Sequence, residues 1–144
     1  MFIQMKLGCL PPKHDPRTLR LSKYLTPAQL PAPPAQADWQ ADVKNWPMMG
    51  NDQYGCCTIA AVGHLIQLWS TANGSPVVPS DKDVVDQYFA LSGGQDTGLA
   101  LLDVMNAWRK TGLLGNQIKA YAAVNVQDQA EVEACTAFFG GIIT

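Results

Sequence analysis

The apolar positions of this chain fall into a helical rhythm only in its second half. Ile59, Val62, Ile66 and Trp69 recur at steps of three and four residues, and Leu65 and Leu68 widen the stripe. This spacing predicts a largely buried helix whose one polar line is His64, Gln67 and Thr71. The segment NGSPVVPS then breaks the chain. Ser80, followed by Asp81 and Asp83, has the form of an N-cap with acidic first-turn residues, and a second helix is expected through DKDVVDQYFALS. GGQDTG ends it. A third helix begins near Leu99, with Leu101, Leu102, Val104, Met105 and Trp108 inward and Asp103, Asn106 and Lys110 as its polar stripe. Gly112, just after Arg109 and Lys110, is its stop signal. NQIKAYAAVN alternates weakly and favours a short strand, DQAEVEACTAFF reads as a fourth helix behind an Asp cap, and GGIIT looks like the opening of a further strand. Left without a sheet, that last edge would call for a partner, so an oligomer or a complex with another chain is expected.

The first third of the chain has a different texture. Seven of the ten prolines lie within residues 11 to 34, where fixed φ angles and missing donors prevent a continuous helix or a central strand. An extended arm is expected over residues 1–46, packed on a helical body over 47–144. Leu19, Leu21, Tyr24, Leu25 and Trp39 are its candidate anchors. DWQADVKNWPMMGNDQYG reads as irregular loop carrying two tryptophans. Met5 opens MKLG and offers an alternative start of translation.

Composition narrows this picture to one domain. A chain of 144 residues with 47% hydrophobic content can bury one ordinary core. A formal charge of −2 and a pI near 5.5 give no basic field for nucleic acid or anionic membranes. No run approaches the ~20 apolar residues of a membrane span, and MFIQMKLG lacks the features of a signal peptide. The default is a soluble protein of a reducing compartment, with neither nucleic-acid nor membrane partners.

The four cysteines, Cys9, Cys56, Cys57 and Cys135, show no paired C-x-x-C hooks, so neither metal nor any other cofactor is expected. Cys135, within ACTAFFG, reads as a small buried side chain. Cys56 and Cys57 are different, because they stand where the polar, turn-forming GNDQYG gives way to the first helix. A cysteine attacks as thiolate, and the free N–H groups of a helix N-terminus lower a thiol pKa from about 8.5 toward neutrality. With the helix starting near Thr58, Cys57 is the better placed of the two. The alternative is that both thiols simply pack beneath the loop.

Three ordered blocks carry a resemblance over almost the whole chain. They are KLGCLPPKHDPRTLRL from Lys6 to Leu21, MGNDQYGCCTIAAVGHLI from Met49 to Ile66, and LLDVMNAWRKTGLLGNQIKAY from Leu101 to Tyr121. The chain resembles the N-terminal half of a papain-like cysteine peptidase domain, and within that fold an uncharacterised bacterial and phage family with an M-G-N-D-x-x-G-D-C loop. The resemblance implies an α+β fold whose central helix starts at Cys57, with two or three further helices packed on it and little strand. It makes Cys57 the nucleophile position. Papain-like enzymes also hold an amide some residues earlier, which with the cysteine N–H forms an oxyanion hole. Asn51, six residues before Cys57, matches that place by spacing, whereas Gln53 has the more usual residue type. An Asx turn at Asn51 and Asp52 is the competing explanation.

Two departures limit what the resemblance implies. Cys56 stands where the family has Asp. The family's histidine base lies in a downstream G-G-H-A strand, and this sequence reaches Thr144 before any such segment. His64, seven residues beyond Cys57, is ~10 Å further along the helix axis, too far for a Cys–His pair. His14, in the arm, is expected to make a hydrogen bond that locks the arm down. Two functions of different classes follow. One is a peptidase- or amidase-related protein acting on a peptide or amide, incomplete or inactive as this chain. The other is a non-catalytic structural or binding protein, such as a virion component. The corresponding locations are the cytoplasm or a virion.

Overall fold

The computed structural model describes residues 8–24 and 32–144. Among these the order is β1 (Leu19–Arg20), a 3-10 turn (Leu21–Lys23), α1 (Cys57–Ala72), α2 (Asp81–Ser92), α3 (Leu101–Lys110), β2 (Ala122–Ala123) and α4 (Gln129–Phe139). Helices dominate, and the two short strands pair in parallel, Leu19 with Ala122 and Arg20 with Ala123. The fold is therefore α+β, with the arm supplying one strand of its small sheet. Met5 and Leu25 lie outside the described residues.

The core forms around α1. Ile59, Val62 and Ile66 are buried against Val84 and Tyr88 of α2 and against Val104 and Trp108 of α3. Trp69 stacks on Trp108 with ring centroids 5.7 Å apart, a contact worth about 0.5–1.5 kcal/mol beyond its buried area. The helix ends follow local chemistry. Ser80 and Asp83 form a complete capping box on α2, Asp128 accepts from the N–H groups of Ala130 and Glu131 on α4, and Gly93 and Gly140 close α2 and α4 in left-handed conformations. The third helix starts at Leu101 rather than at Leu99, because Leu99 is held in a backbone bridge to Cys9.

Several expectations need correction. Residues 141–144 form no strand: Gly140 turns the chain after α4, and Ile143 packs against the core. The argument for a partner from an open strand edge at GGIIT therefore lapses. In the arm, Leu21 is the buried anchor, while Leu19 and Tyr24 are exposed. The polar line of α1 is satisfied by neighbouring backbone, in keeping with a largely buried helix. Gln67 is buried and its Nε2 donates to the Asn45 carbonyl at 2.6 Å, while His64 Nε2 is 2.9 Å from the Pro47 carbonyl. These side chains hold residues 45–48 against the helix, with Trp46 edge-on to the His64 ring.

Candidate functional site

The turn before α1 is built from two consecutive left-handed residues, Met49 (φ 53°) and Gly50 (φ 75°). A side chain on Gly50 would sit 2.5 Å from Val85 Cγ2, so the turn presses on α2 through a bare Cα. The amide of Asn51 donates to the Met48 carbonyl at 3.0 Å, and those of Gln53 and Tyr54 donate to the Gly50 carbonyl at 3.1 and 3.0 Å. Met49 itself is fully buried, with its sulfur lying over the bare Cα of Gly63 in α1.

This turn separates the two adjacent thiols. Cys56 is the N-cap residue; it is fully buried, and its Sγ donates to the Met49 carbonyl at 3.6 Å. Burial pushes this thiol up to about 11, helped by the neighbouring Cys57, Asp96 and Asp52. Cys57 is the first residue of α1 and is half-exposed. The cap has no side-chain acceptor, and the first turn has no acidic residue. The first amides of the helix to bond back are those of Ile59 and Ala60, both to the Cys56 carbonyl, so the N–H groups of Cys57 and Thr58 bond to none of the described residues. Open donors beside a half-exposed thiol are suited to stabilising an oxyanion formed there.

Asn51 lies in the same turn, and the Met49–Cys56 contact ties that turn to the helix start. Its Oδ1 is buried without a hydrogen-bond partner, and Gln53 N–H goes to the Gly50 carbonyl. The Asx turn therefore does not form. Gln53 is exposed. Thr58 Oγ1, one residue past Cys57, is likewise buried and unpartnered.

Comparison with protein-family models, curated proteins and solved structures finds no match. The chemistry of the site therefore rests on its geometry.

Neither histidine joins Cys57. His64 is engaged with Pro47 and Trp46. His14 is exposed and makes no hydrogen bond among the described residues. Beside it, Lys13 ties the arm to Asp103 on α3 at 2.5 Å, while Asp15 binds Arg17 within the arm through backbone and side chain. The Arg17 guanidinium and N–H hold the Asp15 carboxyl down at about 2. Among the described residues no cluster of side chains is suited to hold a metal ion, and no helix is long and apolar enough to cross a membrane. Cys135 is buried, and burial raises its pKa. An open cleft of about 490 Å³ runs between Val77, Val78, Asp86 and Leu114, and none of its lining residues belongs to the Cys57 turn.

Sequence reasoning missed Tyr88 and Asp96. Asp96 Oδ1 accepts from the Gly55 N–H and from the Tyr88 hydroxyl, both at 2.9 Å. The available signal was the aspartate within the glycine-rich GGQDTG, which reads first as a helix terminator.

Proposed function

We propose that the chain is a papain-like, cysteine peptidase- or amidase-related protein in which Cys57 is the nucleophile position and Asn51, with the Cys57 N–H, forms the oxyanion site. The observation that carries this is the division of labour between adjacent thiols. Cys56 is enclosed and held protonated, while Cys57 stands half-exposed at a helix start without a side-chain cap, where the first backbone donors bond to none of the described residues. In the reaction, Cys57 Sγ adds to an amide carbonyl and the C=O pair moves onto oxygen, facing the donors. Loss of the amine then needs a proton from a base–acid partner. Neither His14 nor His64 supplies it, so turnover requires an imidazole from outside these 144 residues, on a further segment or on another chain.

The same lack of an imidazole beside Cys57 favours a second reading: a non-catalytic structural or binding protein, such as a virion component or interaction module, that keeps the scaffold. A peptide aldehyde labelled with 13C at its carbonyl separates the two. Addition of Cys57 to form a hemithioacetal needs no leaving-group protonation. The nucleophile reading predicts the tetrahedral carbon signal in the Cys56→Ser chain, its loss in Cys57→Ser, and weaker binding in Asn51→Ala by about tenfold or more. No adduct at saturating aldehyde would leave the scaffold reading.

A further inference from the structure

The acyl-transfer chemistry makes no use of Asp96, yet this residue reaches 41 positions back along the chain to the backbone beside the candidate nucleophile. Gly55, whose N–H it accepts, immediately precedes the N-cap Cys56. Tyr88, fully buried on α2, donates its hydroxyl proton to the same oxygen and accepts from the Gly98 N–H at 2.8 Å. Burial raises the Tyr88 pKa and so keeps that proton in place as a donor.

The other side of Gly55 meets the arm. A Cβ on Gly55 would fall 3.1 Å from Asp96 Oδ1 and 3.1 Å from Gly8 Cα, and one on Gly8 would lie 1.7 Å from the Gly55 carbonyl oxygen. Gly98 closes the group, since its own Cβ would lie 2.3 Å from the Gly8 carbonyl oxygen. The arm is registered here by two backbone bonds, Leu99 N–H to Gly8 O at 2.9 Å and Leu10 N–H to Leu99 O at 3.1 Å. Three glycines thus pack backbone to backbone, and none tolerates a side chain without moving a main chain.

We propose that Asp96 is the positioning residue of the Cys57 turn, locking Gly55 between the Tyr88 hydroxyl on one side and Gly8 of the arm on the other. Fixing the Gly55 N–H sets where the chain enters α1. That in turn drops the Cys56 thiol onto the Met49 carbonyl and leaves Cys57 outside. Arm docking and the disposition of the two thiols are therefore one event. Its consequence for acyl transfer rests on Cys57 being the nucleophile; the lock itself does not.

The test uses the protection of Cys56 in the full chain carrying Cys57→Ser, read residue by residue by mass spectrometry after labelling with a small thiol reagent. Cys135, buried on α4 and remote in sequence from the lock, serves as the internal control for global opening. Asp96→Ala and Gly8→Ala should each raise Cys56 labelling by about tenfold or more while Cys135 stays protected and helix content is retained. Asp96→Asn, whose Oδ1 can still accept both bonds, should restore protection to within about threefold of the parent. If Asp96→Ala does not fold, Tyr88→Phe keeps the Gly55–Asp96 bond but removes its brace, and should give a smaller rise confined to Cys56. Cys56 remaining protected in these variants, Cys56 and Cys135 becoming exposed in parallel, or Asp96→Asn behaving like Asp96→Ala would each overturn the lock. Failure of the nucleophile reading has a different signature: no hemithioacetal at Cys57 in a chain whose Cys56 is still protected.

Discussion

Replacing Gly63 by alanine sets two effects against each other inside α1. On intrinsic propensity alone, alanine in a helix interior is favoured over glycine by about 0.8–1 kcal/mol. Packing opposes it: the new Cβ would lie 2.5 Å from Met49 Sδ, 3.4 Å from Met49 Cε and 3.6 Å from Leu114 Cδ1. The nearest atom is the middle of the methionine side chain rather than its flexible tip. Met49 is fully buried and has a left-handed backbone at φ 53°, so its Cα–Cβ direction is fixed by an unusual turn. Overpacking a filled core costs about 1–3 kcal/mol. Setting about 2 kcal/mol of strain against about 1 kcal/mol of propensity leaves a net loss of about 1 kcal/mol, or about 3 °C in Tm for a chain of this size. Urea and thermal melts of Gly63→Ala, Met49→Ala and the double variant measure each part. In the Met49→Ala background the obstructing sulfur is gone, so Gly63→Ala should there recover its propensity gain and show a coupling energy of about 1–3 kcal/mol. A Gly63→Ala chain about 1 kcal/mol more stable than its parent, with Met49 present, would refute the packing argument.

Two further outcomes are expected. Ser80→Ala removes the side-chain acceptor of the α2 capping box and should cost about 1 kcal/mol, seen as a lower urea midpoint at unchanged slope; no change would mean that the cap is redundant. The Cys56 thiol stays protonated in the folded chain up to about pH 11, whereas an unfolded thiol ionises near about 8.5. The folded state therefore binds the extra proton between those values, so this contribution is complete below about pH 8.5 and is lost as pH rises toward 11. Cys135, also raised by burial, acts in the same sense. Cys56→Ala should flatten part of the alkaline slope in pH-dependent melts, and an unaltered slope would show that Cys56 is not the group responsible.

What the sequence made legible was local. The capping box at Ser80, the Asp128 cap and the start of α1 at Cys57 are each written in a few adjacent residues, and each forms as the spacing requires. The short strand in NQIKAYAAVN also forms, though its partner is the arm. What misled was interaction at a distance. His64 and Gln67 read only as a polar line, because the carbonyls that satisfy them come from residues 17 and 22 positions upstream. GGIIT looks like a strand because its apolar residues are the same ones that pack against a helical core. Asp96 carries no local sign of its bond to Gly55. Of the candidate site, the place of Cys57 at the start of α1 was readable, while the burial of Cys56 beside a half-exposed Cys57 was not, because Cys56 Sγ reaches the carbonyl of Met49 in the left-handed turn seven residues earlier.

The central claim is that this turn divides Cys56 from Cys57, and the rates of alkylation at the individual thiols test it most directly. Iodoacetamide at neutral pH, applied to Cys56→Ser and Cys57→Ser chains with each site quantified by peptide mass, gives Cys57 and Cys56 separately, with Cys9 and Cys135 as exposed and buried references. The account predicts that Cys57 labels faster than exposed Cys9, by a modest factor because no histidine assists it, and that Cys56 labels as slowly as Cys135. Cys57 reacting no faster than an unstructured thiol, or Cys56 reacting as readily as Cys57, would contradict it.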